Sequence, residues 1–228
     1  MVRGNSTPYI GDDDGKGKPR MLRLLCALML LAGAAKADRP GEFDHYVLAL
    51  SWSPTWCALE GDARGSDQCD ARHDYGFILH GLWPQYERGW PDFCQTIERA
   101  PSRRMTAEMV DIMGSSGLAW HQWKKHGTCT GLSAANYYRL SRLAYERINR
   151  PALLRKVSKP LRLPAHVIEA AFLKDNPQFS AKGVTVTCKS RHISEVRICL
   201  TRDLDPRACG ADVRRDCSLE DAVFAPIR

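Results

Sequence analysis

Two short segments bring together the residue types that acid–base chemistry needs. Phe77 to Pro84 holds His80 and Trp83, and His121 to Cys129 holds His121, Gln122, Trp123, Lys124, Lys125 and His126. Imidazole is the only side chain whose unperturbed pKa lets it give and take a proton near neutrality. Two imidazoles on either side of a phosphodiester suffice to cleave RNA without a metal, and a lysine beside them can take up charge on the phosphoryl oxygens. If Leu118 to His126 is a helix, Gln122 is four residues from His126 and three from Lys125, and His121 is four from Lys125, so these side chains gather along one face. His126 falls in the last turn, where the helix dipole favours its protonated form. Packing explains such a cluster poorly; a phosphate pocket explains it well. A zinc site is disfavoured, because His121 and His126 are five apart, about 140° around a helix, and should diverge. No HExxH or paired-cysteine spacing is present either, so no metal or cofactor is expected.

The elements that must hold these residues can be read from pattern. Leu48 to Pro54, following Phe43 to Val47, reads as a buried first strand, and Tyr75 to Leu79 as a second one stopped by Gly81 and Pro84. That places Ile78 and His80 on one face and His80 at a strand end. Thr106 is expected to cap a helix over Ala107 to Met113 with Gly114 as its stop, and Gly127 to stop the helix from Leu118 to His126. Ser133 should cap a longer helix through Ile148, with Tyr137, Leu140, Leu143, Ala144 and Ile148 on its apolar side. Pro164 suits the first turn of a helix through Leu173. Strand patterns return at Val184 to Cys188 and Val196 to Leu200. Strands and helices mix without a βαβ rhythm, so the fold class is α+β. Trp52, Trp120 and Trp123 fit core or ligand platform equally. His45, His73, His166 and His192 read as surface or satisfied structural residues.

The chain has 228 residues, 44% hydrophobic, which suits one soluble domain. Residues 1–20 are polar and without periodicity, and read as a disordered upstream extension. Arg20 and Arg23 then precede the apolar run Leu24 to Leu31, which ends in Ala35-Lys36-Ala37, a signal-peptidase pattern too short to span a bilayer comfortably. Residues 21–37 are therefore expected to be a signal peptide and 38–228 a single exported domain. Of nine cysteines, Cys26 lies inside the signal; the remaining eight, an even count, read as four disulfides in an oxidising compartment. Beyond residue 37 the chain keeps 27 basic and 23 acidic residues, a net charge of +4 that mildly favours a polyanion.

FILHGLWP and HQWKKHGTC, in this order, resemble the two active-site segments of the ribonuclease T2 family. The likeness extends to Leu50-Ser51-Trp52-Ser53-Pro54 with Cys57, and to Glu195 to Leu200. The resemblance implies an α+β fold around a central antiparallel sheet flanked by helices, and a metal-independent endoribonuclease. The implied reaction is transesterification of single-stranded RNA to a 2′,3′-cyclic phosphate, then hydrolysis to a 3′-phosphate, with low base specificity. It makes His126 the base for the 2′-OH, His80 the acid for the departing 5′-oxygen, Lys125 the charge stabiliser and His121 a phosphate holder. Trp83 is matched to a base-stacking position as an exposed indole. Four disulfides are implied, Cys57–Cys69, Cys94–Cys129, Cys188–Cys217 and Cys199–Cys209, where the count alone allows 105 connectivities. The expected form is a periplasmic or extracellular monomer acting on RNA, with no membrane attachment after signal cleavage.

Two positions depart from the family pattern. Gln122 stands where relatives usually carry glutamate; it can still hydrogen-bond but cannot carry charge, and losing an anion should lower the neighbouring histidine pKa values. Gln85 stands where several relatives have an aspartate that recognises adenine, so base preference is open. The rival reading is a weakly active or inactive exported RNA- or polyanion-binding protein, with Gln122 as its cause.

Overall fold

The computed structural model describes residues 38–228; residues 1–37, with the expected upstream extension and signal peptide, lie outside the described residues. Strand β1 (His45–Trp52) runs straight into a short helix α1 (Ser53–Trp56), because Ser53 and Pro54 begin the helix rather than continue the strand. β2 spans Phe77–Gln85. Helices α2 (Arg103–Ala107), α3 (Val110–Met113), α4 (Ser116–Lys125), α5 (Ala134–Glu146) and α6 (Ala152–Arg155) follow. Then come β3 (Leu161–Leu163), α7 (Ala165–Asp175), β4 (Val184–Lys189), β5 (His192–Leu200) and β6 (Ala222–Phe224). The sheet order is β2-β1-β5-β6-β3, with β4 paired to β5, and every pairing is antiparallel except a single bridge between β5 and β6. This is the expected α+β class. The short strands β3 and β6 had no readable pattern.

β1 is central and alternates strictly. Tyr46, Leu48, Leu50 and Trp52 enter the main core with Phe77, Leu79 and Leu82 of β2 and with Tyr137, Ile168 and Phe172 of the helices. The residues between them, His45, Val47, Ala49 and Ser51, face the other side, where the chemistry is.

β2 corrects the sequence reading. It runs through Gly81 and Pro84 because it is an edge strand, where proline's missing donor costs no ladder bond. Its register against β1 slips between Leu79, opposite Leu50, and Gly81, opposite Ala49. His80 is the extra residue of this bulge, in mid-strand rather than at a strand end. The slip lets Leu79 and Leu82 both enter the core, so His80 and Trp83, also three apart, share the opposite face. Tyrosines of α5 cover the strand's outer edge: Tyr145 Oη donates to the Phe77 carbonyl (3.0 Å) and Tyr137 Oη to that of Leu82 (3.1 Å).

Among the helices, Ser102 rather than Thr106 caps the first, its Oγ accepting from Met105 N, and Thr106 lies inside α2. A break at Glu108–Met109 divides the expected single helix into α2 and α3, which Gly114 ends as expected. Ser115 caps α4 and Ser133 caps α5. Leu143 departs from the expected apolar side of α5 and is exposed, and Ile148 lies beyond the helix end yet is buried. Pro164 is the N-cap of α7 rather than its first residue. Trp52 and Trp123 belong to the core, while Trp120 is exposed. His45 is fully buried, and neither ring nitrogen has a hydrogen-bond partner among the described residues, against the surface or satisfied role expected of it.

The structure joins Cys57–Cys69, Cys94–Cys129, Cys188–Cys217 and Cys199–Cys209, the pairing that the resemblance implies. Four disulfides fit an extracellular or periplasmic protein. Among the described residues no helix is long and apolar enough to cross a membrane.

Candidate active site

A cleft of about 250 Å³ opens between the polar face of the sheet and α4. Its walls include His80, Trp83 and Gln85 from β2, and His121, Gln122, Lys125 and His126 from α4 and its end. All the site residues picked from the two segments therefore meet in one place. His121 and His126 both reach it, contrary to the divergence expected on an ideal helix. The reason is that His126 is the C-cap, with φ −116°, and has left helical geometry, while its backbone N–H still donates to the Gln122 carbonyl (2.9 Å).

The end of α4 is tightly held. Phe93 N donates to the Lys125 carbonyl (2.8 Å) and the Cys94–Cys129 disulfide ties the loop after β2 to the turn after the helix. Gly127 is required here for space, since a Cβ at this position would overlap the Trp123 ring. These constraints fix His126 without any hydrogen bond to its Nδ1, which is buried and unpartnered among the described residues.

Trp83 is the hub between the two histidines. Its Nε1 donates to Gln122 Oε1 (2.7 Å), its ring stacks on His126 (centroids 5.2 Å, 26°), and His80 meets it edge-on (5.2 Å, 79°). The Arg197 guanidinium lies over the same ring at 5.4 Å. Gly81 leaves the room for this bond, as a Cβ there would collide with the Gln122 amide and the indole nitrogen. Trp83 is thus a half-buried, fully engaged side chain, not the exposed indole that was expected. The exposed aromatic of the cleft is Trp90, which the sequence reading did not select. Gln85 is buried at the cleft's edge, donating through Nε2 to the Pro84 carbonyl (2.9 Å).

Glu195 and Arg197 are the larger omissions. Glu195 sits on β5 directly opposite Ser51 of β1, and is buried. Its Oε1 is hydrogen-bonded to His80 Nδ1 and accepts from Ser51 Oγ (3.3 Å), while its Oε2 accepts from Arg197 Nε (3.1 Å) and Nη2 (2.8 Å). Burial by itself would raise this carboxyl; the hydrogen bonds and charges of His80 and Arg197 outweigh it and hold Glu195 below the usual carboxylate range. No sequence signal local to His80 points to a partner on a strand more than a hundred residues later.

The imidazoles sit in contrasting surroundings. Burial first, then the charges of Lys125, His80 and His121, push His126 down to about 3, so it is neutral at any ordinary pH. Burial overrides the expected help from the helix dipole. The neutral Gln122 leaves the ring without an anion to oppose that descent. His121 is lowered too, by burial and then by Lys125, His80 and Lys124. Among the described residues no group of three acidic, histidine or cysteine side chains is placed to hold a metal ion.

A second hollow of about 490 Å³ adjoins the cleft, lined by Ser51, Trp56, Ser115, Leu118, Lys189 and Glu195 among others. It shares His80 and His121 with the cleft, so these two side chains stand at the junction.

Comparison with known proteins places the chain by family and fold. A sequence profile of the Ribonuclease T2 family matches residues 43–209. A ribonuclease of Aeromonas hydrophila is 32% identical, over 91% of this chain and 97% of its own. Ribonuclease I of Escherichia coli is 26% identical over 75% of this chain and 80% of its own. Among solved structures, an RNase-related protein from Calystegia sepium superimposes with a TM-score of 0.62 at 21% identity, over 81% of this chain and 97% of its own. Trichomaglin, an S-like ribonuclease, gives 0.63 at 21% identity, over 82% of this chain and all of its own. The profile spans both histidine segments and most of the sheet, and on that match the chain belongs to the ribonuclease T2 family and is a ribonuclease of that type.

Proposed function

We propose that the protein cleaves single-stranded RNA internally by transesterification, forming a 2′,3′-cyclic phosphate that is then hydrolysed to a 3′-phosphate, with low base specificity. The observation that carries this reading is the meeting of His80, His121, Lys125 and His126 around one cleft. His126, kept neutral by burial and neighbouring cations, takes the proton of the 2′-OH. That oxygen attacks phosphorus, and the 5′-oxygen leaves with a proton from His80 Nε2, the nitrogen not engaged by Glu195. Lys125 neutralises charge as it builds on the phosphoryl oxygens, and His121 helps to hold the phosphate through a ring N–H. Acid and base in surroundings this different is the arrangement that lets two like side chains take opposite roles.

The same assignment orients the substrate. The nucleoside that supplies the 2′-OH lies in the cleft beside His126, with Trp90 as an exposed stacking surface and Gln85 at its edge. The departing nucleoside lies in the second hollow, beyond His80. Stacking is tolerant of base identity, and Gln85, already bonded to the backbone, adds little selection, which supports low specificity. The four disulfides and the pattern of residues 21–37 support export to the periplasm or beyond, as a monomer with RNA as partner.

The alternative of a silent RNA-binding protein is not favoured, because Gln122 keeps the bond that holds Trp83 while both histidines and Lys125 remain in place. Digestion of RNA in EDTA, with the product ends identified, tests the proposal. Cyclic phosphates accumulating before 3′-phosphates are expected. Products ending in 5′-phosphates, or cutting that EDTA abolishes, would refute it.

A further inference from the structure

We infer that Glu195 is a positioning residue for catalysis: from β5 it reaches across β1 to His80 Nδ1, fixing the ring so that Nε2 faces the departing oxygen. The inference rests on the reading of His80 as the acid.

Three observations carry it. First, the carboxylate is fully engaged: Oε1 meets His80 Nδ1 and Ser51 Oγ, and Oε2 is held by two Arg197 donors at 3.1 and 2.8 Å. A carboxylate pinned on both oxygens has no freedom to leave the ring it orients. Second, the reach is built into the sheet. Adjacent strands lie about 4.8 Å apart, so β5 to β2 is a span of about 10 Å. Only small residues intervene, Ser51 opposite Glu195 and Ala49 opposite Arg197. Third, burial of a carboxylate without need is costly, and the structure retains one here at 7% exposure. A carboxylate on one ring nitrogen fixes which tautomer and which orientation the other nitrogen presents.

The groups facing His80 come from several elements. Glu195 and Arg197 approach from β5, and His121, Lys125 and His126 from α4 and its end. Glu60, Arg64 and Lys189 stand farther along the second hollow, where Glu60 pairs with both cations. Asp212 also lines the cleft, but among the described residues Glu195 is the carboxylate bonded to the ring.

The test is Glu195→Gln, which keeps shape and removes charge, assayed on two substrates. One is a dinucleotide, whose alkoxide leaving group needs an acid; the other is a nucleoside 3′-(p-nitrophenyl phosphate), whose phenolate does not. Turnover on the dinucleotide should fall about 10- to 100-fold, a loss within the range of acid–base assistance, with KM within about twofold. Little loss is expected on the activated ester. The alkaline limb of the dinucleotide pH–rate profile should move about one unit to lower pH, the scale of a lost charge partner. The downfield Nδ1–H proton resonance of His80 should disappear. Glu195→Asp, which keeps the charge at a longer reach, should restore part of both the limb and the turnover. Equal losses on both substrates with an unmoved limb would make Glu195 a packing residue and overturn the inference, as would unchanged turnover. The reading beneath it fails differently: His80→Ala would then lose equally on both substrates, while the resonance in the wild type would still report the Glu195 pairing.

Discussion

His80 stands on a strand with a carboxylate behind it, whereas His126 closes a helix, pressed against an indole with cations for neighbours. The sheet wall of the cleft relies on directed hydrogen bonds between side chains from three strands. The helix wall relies on burial and on a disulfide-anchored turn, and leaves its imidazole nitrogen Nδ1 without a partner among the described residues. One wall stabilises a ring by giving it a counter-charge and the other by denying it charge. In the proposed reaction identical side chains thereby take different duties, and the difference comes from backbone placement, not from the residues themselves.

The sharpest way to break this contrast is to remove the rings in turn. His126→Ala should lower turnover about 10²- to 10⁴-fold on natural RNA and on an activated aryl ester alike, because the 2′-OH must lose its proton in both. His80→Ala should show a comparable loss on RNA but a much smaller one on the ester. The reverse pattern in steady-state assays would exchange the roles of the two walls.

A smaller effect is expected from Gln122→Glu. The new carboxylate keeps an acceptor for Trp83 Nε1 and places an anion beside His126, raising its pKa by about 1–3 units. Turnover should rise severalfold and the pH–rate profile should move to higher pH. An unchanged or lower rate would mean that glutamine is no handicap in this chain and that the helix wall is best left uncharged.

The least effect concerns stability in acid. His126 has its folded-state pKa lowered from 6.5 to about 3, so the folded state disfavours the proton that the unfolded chain accepts. The associated stability is fully present above pH 6.5 and is lost as pH falls from there towards 3. Between pH 6.5 and 4.5, calorimetry should therefore show the melting temperature of the wild type falling more steeply than that of His126→Gln, by about 5–10 degrees, the shift that roughly 2–3 kcal/mol produces. Parallel curves would show that burial of this ring carries no such cost.

What the sequence made legible follows the same division. His80, Trp83, Lys125 and His126 announce themselves because their chemistry is local, concentrated in two segments with unusual residue types. Glu195 and Arg197 did not, because a strand residue opposite Ser51 becomes a partner of His80 only once three strands are in order. The bulge at His80 was equally hidden: Gly81 and Pro84 look like a stop, and only edge placement turns them into strand. Thr106 attracted the role of a cap that Ser102 fills, since both have the right side chain and the choice depends on where the preceding loop arrives. His126 was expected to gain from a helix end, but burial outweighs a dipole at a group so little exposed.

The small side chains of β1 have a consequence for change in the molecule. Ala49 and Ser51 carry no charge and move no proton in the proposed reaction, yet they keep open the lane along which Glu195 and Arg197 cross to β2. A search for better activity confined to the ionisable residues would never visit them. An added methyl or two at either position would leave every reactive group intact while severing the front strand from its support. The tolerance of the site to mutation is therefore set as much by vacant space on the middle strand as by the groups that flank it.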